Sequence, residues 1–340
     1  MSTNVDSRIV VQIPCYNEEA TLEATIAEIR KATAAFRNCL ILVVDDGSTD
    51  GTVEVARKAK ADFIARHSSN RGLARAYMTG LAASLNLGAD IIVNTDADNQ
   101  YRAAGIPALI RAISEEQADV AVGARPIEQT EHFSLLKRRL QRLGTRVVRG
   151  LSGTDVRDAT SGFRAITREA ALRLNTFSDY TYTLETLIQA GRSGLRVTSV
   201  DIETNPPTRP SRLMRSMGQY ILRSIGDMLR ISTIYSPLRS YLTVAAPPLA
   251  VAIFLGLRYV FLVSLVDPSR SHAPSLILAG ILTGLAFLLC GLGIIGEIMT
   301  VNRRILEELR INQRRQLAES GSLGGRVDFS LIEISHGTSK

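Results

Sequence analysis

Ser275–Gly296 (SLILAGILTGLAFLLCGLGIIG) carries no charged side chain. A helix needs roughly 20 apolar residues to cross a bilayer, and this run meets that length without a break. The competing reading is a buried core helix, but the run is too long and too uniformly apolar for that. Its glycines at 280, 284, 291, 293 and 296 would weaken a helix in water, whereas in lipid they permit close helix packing.

Tyr241–Val266 is a weaker span of the same kind, with Pro247, Pro248 and Arg258 inside it. The prolines are expected to kink or start the helix. Arg258 has to snorkel, or face protein or lipid phosphate. Only Asp267–Pro274 separates the two runs, so they read as a transmembrane hairpin over residues 239–302, with spans at about 241–266 and 275–301. Arg230 and Arg239 precede it, Arg303, Arg304 and Arg310 follow it, and its connecting loop holds only Arg270. That asymmetry places both termini in the cytosol. Residues 303–340 are expected to form a cytosolic basic helix and tail. The tail opens on SGSLGG and ends in the alternating RVDFSLIEIS, which suits either an added strand or a disordered end.

Ahead of the hairpin, residues 211–238 hold Leu213, Met217, Tyr220, Ile221, Ile225, Met228 and Leu229 at helical spacing, interleaved with Arg212, Arg215, Arg223 and Arg230. This pattern suits an amphipathic helix on a membrane surface. It suits equally a helix packed on a soluble domain.

Residues 1–210 have a different rhythm. Arg8–Ile13, Leu40–Val44, Asp62–Ala65 and Ile91–Asn94 read as strands, and Glu18–Phe36, Gly51–Ala59 and Gly72–Leu85 as helices between them. Alternating strand and helix implies a largely parallel sheet covered on both faces, with a ligand beyond the C-terminal strand ends. Polar clusters fall at those ends: Pro14-Cys15-Tyr16-Asn17-Glu18, Asp45-Asp46-Gly47-Ser48 and Asp96-Ala97-Asp98-Asn99-Gln100. Asp96 and Asp98, two residues apart past a strand, can share one hard divalent cation, Mg2+ or Mn2+. Asp45 and Asp46 also fit a plain turn and helix cap.

Composition narrows the class further. The formal charge of +7 admits nucleic acid, anionic lipid or phosphate-bearing substrates. The apolar C-terminal third favours lipid, and no nucleic acid is expected. Three cysteines, at 15, 39 and 290, form no CxxC pair, so a structural zinc site is not expected. The N-terminus is polar and runs straight into a strand, so no secretory signal is expected either.

The segments PCYNE (14–18), VVDDGSTDGT (43–52), NRGLARAYMTG (70–80), TDADNQ (95–100), VGAR (122–125) and DATSGFR (158–164) together resemble glycosyltransferase family 2. More narrowly they are similar to the dolichol-phosphate mannose synthases and bacterial polyprenyl-phosphate glycosyltransferases with two membrane helices. The resemblance runs in order over roughly residues 8–212. It implies a GT-A fold, inverting transfer from a nucleotide-diphosphate sugar to a polyprenyl phosphate, and a divalent cation. It assigns Pro14, Tyr16, Asn17, Glu18, Asp96 and one of Asp45 or Asp46 to the nucleotide sugar, and Asp96, Asp98 and Gln100 to metal and diphosphate. Arg125 stands where a family arginine reaches the phosphates, and Asp158 opens the segment carrying the carboxylate near the acceptor. Arg164 joins the catalytic basic groups. Arg209 and Arg212, in TNPPTRPSR (204–212), resemble the loop that closes over the phosphates. Lys137, Arg138, Arg139 and Arg142 fit a solvated helix face or a phosphate contact, and Glu185 a second acidic site group or a structural residue. The expected partners are the sugar donor, the lipid phosphate and the bilayer, with a homo-oligomer left open and an inner-membrane location.

Another membrane-bound family 2 transferase of polysaccharide or glycolipid synthesis is the alternative. A processive synthase bearing QxxRW is excluded, because the chain has no tryptophan. A dinucleotide oxidoreductase is disfavoured, because PCYNEE stands where GxGxxG is expected.

Overall fold

Strand β1 (Ile9–Cys15) is buried along its whole length, and its near-continuous apolar run is what a strand covered on both faces requires. It sits at the middle of an eight-stranded sheet in the computed structural model. The structure describes residues 7–126, 144–146, 148–176, 182–205, 226, 230, 232–266, 273–319 and 330–334.

The elements follow as α1 (Leu22–Ala32), β2 (Cys39–Asp45), α2 (Thr52–Lys58), β3 (Phe63–Arg66), α3 (Leu73–Asn86), β4 (Ile91–Asn94), α4 (Ile106–Ser114) and β5 (Val120–Ala124). Then come β6 (Arg164–Thr167), α5 (Arg168–Arg173), α6 (Thr183–Arg192) and β7 (Val197–Asp201), followed by α7 (Pro237–Phe261), α8 (Ala273–Glu319) and β8 (Ser330–Glu333). The sheet order is β7-β5-β6-β4-β1-β2-β3-β8. Pairings among β1 to β4, and of β5 with β7, are parallel. β6 runs antiparallel to β4 and β5, and β8 antiparallel to β3. Pro14 is tolerated in a central strand because β4 pairs only with Ile9–Gln12, so no ladder bond needs its missing N–H.

The expected strands and helices are present with shifted ends. The largest shift is at the first helix, expected over 18–36 and observed over Leu22–Ala32. Its intended first turn is used elsewhere: Glu18 N–H donates to Thr52 Oγ1 at 2.8 Å, and Glu19 Oε2 accepts from Gly51 N–H at 2.8 Å.

The chain divides into two compact units, Met1–Gln219 with Arg310–Lys340, and Tyr220–Leu309. In the first, the end of α8 is tied down by Arg315 on the Glu169 carboxylate at 2.8 and 2.9 Å and by Arg314 on the Leu174 carbonyl at 2.9 Å. Within the tail, Ser330–Glu333 is a strand on the β3 edge, which covers backbone groups that a bare edge would expose.

The second unit is two helices long and apolar enough to cross a membrane. Pro247 and Pro248 lie inside α7, which continues as a π-helical turn over Leu262–Val266. A Cβ at Gly296 would lie 2.6 Å from Pro237, and one at Gly293 3.2 Å from Tyr241. These two glycines therefore let α8 pack closely on α7. Arg258 is exposed, one turn from the end of α7, a position from which an arginine can snorkel. Of the amphipathic stretch expected over 211–238, residues 211–225, 227–229 and 231 lie outside the described residues.

Candidate active site

The C-terminal ends of β1 and β2 are stitched into one rim. Asp46 N–H donates to the Cys15 carbonyl at 2.9 Å, and Asn17 N–H to Ser48 Oγ at 2.9 Å. Asn17 Oδ1 accepts from Thr49 N–H at 2.9 Å while Asn17 itself adopts a left-handed φ of 55°, which asparagine tolerates better than most residues. Tyr16 projects from this rim and is 40 % exposed.

Asp45 and Asp46 face inward. Asp45 Oδ1 accepts from Ser48 N–H at 3.0 Å, and its Oδ2 lies 3.0 Å from Arg66 Nε. Asp46 accepts from Arg71 N–H at 2.9 Å and Gly72 N–H at 2.8 Å, and its Oδ1 lies 2.7 Å from His67 Nδ1. The other imidazole nitrogen of His67 meets Thr79 Oγ1 at 2.8 Å. Both carboxylates are enclosed. Their contacts hold the loops that form the rim. Gly47 permits this arrangement, since a Cβ there would lie 2.5 Å from the Ser69 backbone at a φ of +72°.

Beyond β4 lies the acidic loop. Ala97 O accepts from Thr25 Oγ1 at 3.1 Å, and Asp98 Oδ1 from Gln100 N–H at 3.1 Å. Burial, and then the neighbouring Asp98 carboxylate, push the Asp96 pKa up to about 7. A carboxylate pair of this kind would be neutralised by a divalent cation. Among the described residues no three His, Cys, Asp or Glu side chains gather at ion-binding spacing. That fits magnesium-type sites, which use one or two carboxylates and complete the shell with water and substrate phosphate. The residues present therefore fit such an ion.

Facing this loop, Arg125 at the end of β5 forks onto Asp158, with Nε to Oδ2 at 2.6 Å and Nη2 to Oδ1 at 3.1 Å, and reaches Thr160 Oγ1 at 2.7 Å. Asp158 is 1 % exposed. Burial alone would raise its pKa, but Arg125 and the Thr160 hydroxyl hold the carboxyl below its ordinary value. Arg125 also stacks 6.0 Å above the Tyr101 ring, and its pKa is raised by Tyr101 and Asp158 against the effect of burial.

Residues 10–174 match the family model for glycosyl transferase family 2. The chain is 29% identical over 205 residues to an undecaprenyl-phosphate mannosyltransferase of Micrococcus luteus, covering 57% of this chain and 82% of that one. It is 30% identical over 206 residues to a polyprenol monophosphomannose synthase of Mycolicibacterium smegmatis, covering 57% and 76%. The chain belongs to glycosyltransferase family 2. Its fold is also that of glucosyl-3-phosphoglycerate synthase from Mycobacterium tuberculosis, crystallised with Mn2+ and UDP, at a TM-score of 0.52 and 20% identity over 66% of this chain and 81% of that one.

The glycosyltransferase keeps Pro14, Tyr16, Asn17, Glu18, Asp96, Asp98 and Gln100 at neighbouring strand ends, as the parallel register requires. Arg164 is expected among the catalytic basic groups. It is 1 % exposed, and its guanidinium donates to the carbonyls of Ser161 at 2.8 Å and Ala159 at 3.1 Å and to Thr186 Oγ1 at 2.9 Å. A guanidinium so engaged braces the DATSGFR turn. Glu185 is likewise buried, on α6. Arg209, Arg212, Lys137, Arg138, Arg139 and Arg142 lie outside the described residues.

Several residues of the site were not singled out from sequence. Tyr101 Oη accepts from Gly162 N–H at 3.1 Å, and Tyr182 Oη accepts from Asn94 Nδ2 at 2.9 Å. A Cβ at Gly162 would lie 2.7 Å from Tyr182 Oη and 3.1 Å from an Asp96 oxygen, so only glycine fits behind the acidic loop. Tyr101 could have been found as the aromatic residue directly after TDADNQ. Tyr182 and His67 carry no local signal, since their partners are distant in sequence.

Proposed function

We propose that the protein transfers a hexose-type sugar, with inversion, from a UDP- or GDP-sugar to undecaprenyl or dolichyl phosphate at the cytosolic face of the cell membrane. The observation that carries this reading is a family 2 catalytic unit on the same chain as two helices long and apolar enough to cross a membrane. A water-soluble acceptor needs no such anchor, whereas a polyprenyl phosphate is confined to the bilayer. The named relatives support the acceptor class, since they include a dolichyl-phosphate N-acetylglucosaminyltransferase of Methanococcus voltae, 29% identical over 220 residues. Both termini lie in the cytosol on this reading.

In the reaction, an oxygen of the lipid phosphate bonds to the anomeric carbon as the bond to the donor diphosphate breaks on the opposite face. The nucleoside diphosphate leaves with the electron pair. The nucleophile is already an anion, so positioning and charge stabilisation matter more than a base. Tyr16 and Glu18 hold the nucleoside side. Mg2+ or Mn2+ on Asp96 and Asp98, with Gln100 beside them, would neutralise the leaving diphosphate. Asp158 holds Arg125 aimed into the site, and Arg209 and Arg212 grip the acceptor phosphate.

Asp98→Ala is expected to lower transfer by at least about a hundredfold while the circular dichroism spectrum stays unchanged. Excess chelator should do the same to the unaltered enzyme. Full activity in chelator would remove the metal from this account.

A further inference from the structure

The acidic loop is held from a distant part of the chain. Asn99 stands at a left-handed φ of 57°, and asparagine tolerates that region better than most residues. The bonds that fix this turn come from Asn205, 106 positions later. Its backbone N–H donates to the Gln100 carbonyl at 2.8 Å. Its side-chain Nδ2 donates to the Asn99 carbonyl at 2.9 Å, and its Oδ1 accepts from Arg102 Nε at 3.0 Å. Thr204 bridges Tyr101 in antiparallel fashion, and Arg102 N–H reaches the Glu203 carbonyl at 3.4 Å. Residues 203–205, just past β7, are therefore zipped onto residues 99–102.

The chemistry at Asn205 calls for a carboxamide. One end must accept from a guanidinium and the other must donate to a carbonyl, and a flipped amide would set its NH2 against the arginine. Aspartate offers no donor, and alanine offers neither group. Of the two carbonyls that Asn205 engages, that of Asn99 belongs to the peptide joining Asn99 to Gln100 and that of Gln100 to the next peptide. Gln100 N–H, in the first of these peptides, donates to Asp98 Oδ1. The orientation of that first peptide thus links Asn205 to the Asp98 carboxylate.

We propose that Asn205 is a positioning residue for the metal pair, fixing the 98–100 backbone so that Asp98 is held in register with Asp96. The proposal rests on the metal reading of those carboxylates and extends it to a residue outside the acidic motif.

The test uses the full chain in detergent with Asn205→Ala and Asn205→Asp, the second retaining the acceptor for Arg102 and losing only the donor to Asn99. Free Mn2+ is counted by electron paramagnetic resonance during titration with UDP and, separately, GDP present. Both variants should bind Mn2+ about tenfold more weakly, as the loss of a half-buried hydrogen bond implies. Amide exchange across residues 97–101 should quicken in metal-free protein, with the melting temperature held within a few degrees. Wild-type Mn2+ affinity in both variants would overturn the proposal and leave the metal reading standing. No Mn2+ uptake by the unaltered protein with either nucleotide would overturn the metal reading and this proposal with it.

Discussion

The two units satisfy the same physical rule with opposite surfaces. The catalytic unit buries charge and pairs it: Arg164 is enclosed by two carbonyls and a hydroxyl, Asp158 by Arg125, and Asp46 by His67 and two backbone amides. The helical unit leaves large apolar side chains such as Phe254, Leu257, Phe287 and Ile298 exposed, and buries alanines 245, 252, 279 and 286. In water the second pattern would be an aggregation hazard. In lipid it is the expected one, since packing there relies on small residues and apolar side chains face the acyl chains. Glycine does not divide in the same way. Gly47 and Gly162 in the catalytic unit and Gly296 in the helical one are required by close approach, whereas Gly150, Gly280, Gly284 and Gly291 have nothing within 4 Å of an added Cβ.

The largest effect is expected where buried charge is unpaired. Asp158→Asn leaves the Arg125 guanidinium without its counter-ion and should cost roughly 3–5 kcal/mol of catalytic-unit stability, measured by denaturant unfolding. The same variant tests the acid limb. The folded pKa of Asp158 lies below the unfolded value of ~3.9, so its contribution is fully present above that pH and is lost as pH falls through the folded pKa. Asp158→Asn should therefore flatten the loss of stability in that window. An unchanged acid limb would show that the pair does not contribute.

A charge on the helical unit sharpens the comparison from the other side. Phe287 is 80 % exposed, so Phe287→Asp would be nearly neutral in a water-facing helix. In a lipid-facing one it should disfavour insertion by about 3 kcal/mol, read from the inserted fraction in a membrane integration assay. Undiminished insertion would mean that this face does not meet lipid. The smallest effects separate the glycines. Gly296→Ala places a Cβ 2.6 Å from Pro237 and should destabilise the hairpin by about 1–3 kcal/mol. Gly280→Ala meets open space and should shift stability by no more than about 0.5 kcal/mol. Thermal unfolding in detergent distinguishes the two.

Much of this architecture is legible in the chain because it is local. The charge-free run at 275–296, the alternation of strand and helix to Asn94 and the acidic pair past β4 each announce themselves within a few residues. What stayed hidden depends on partners far away in sequence. The sequence around Arg164 does not announce that Thr186 and the Ala159 and Ser161 carbonyls close around it. Asp45 and Asp46 gain Arg66 and His67 as neighbours only because β3 delivers them. The tail strand pairs with β3, 268 positions earlier at Ile64↔Ile332 and 264 at Arg66↔Ser330, and alternation alone could not say whether that edge was free.

The central claim is that the nucleophile is a lipid phosphate. Product formation from a labelled nucleotide sugar should be compared with polyprenyl phosphate and with the free polyprenol of the same length, using the unaltered protein and Arg209→Ala and Arg212→Ala. The account predicts product only from the phosphate. It also predicts that each arginine variant is slowed about thirtyfold in transfer, as loss of a contact to a charged group worth about 2 kcal/mol implies, with donor binding much less affected. Equal use of the two acceptors, with both variants unimpaired, would contradict it.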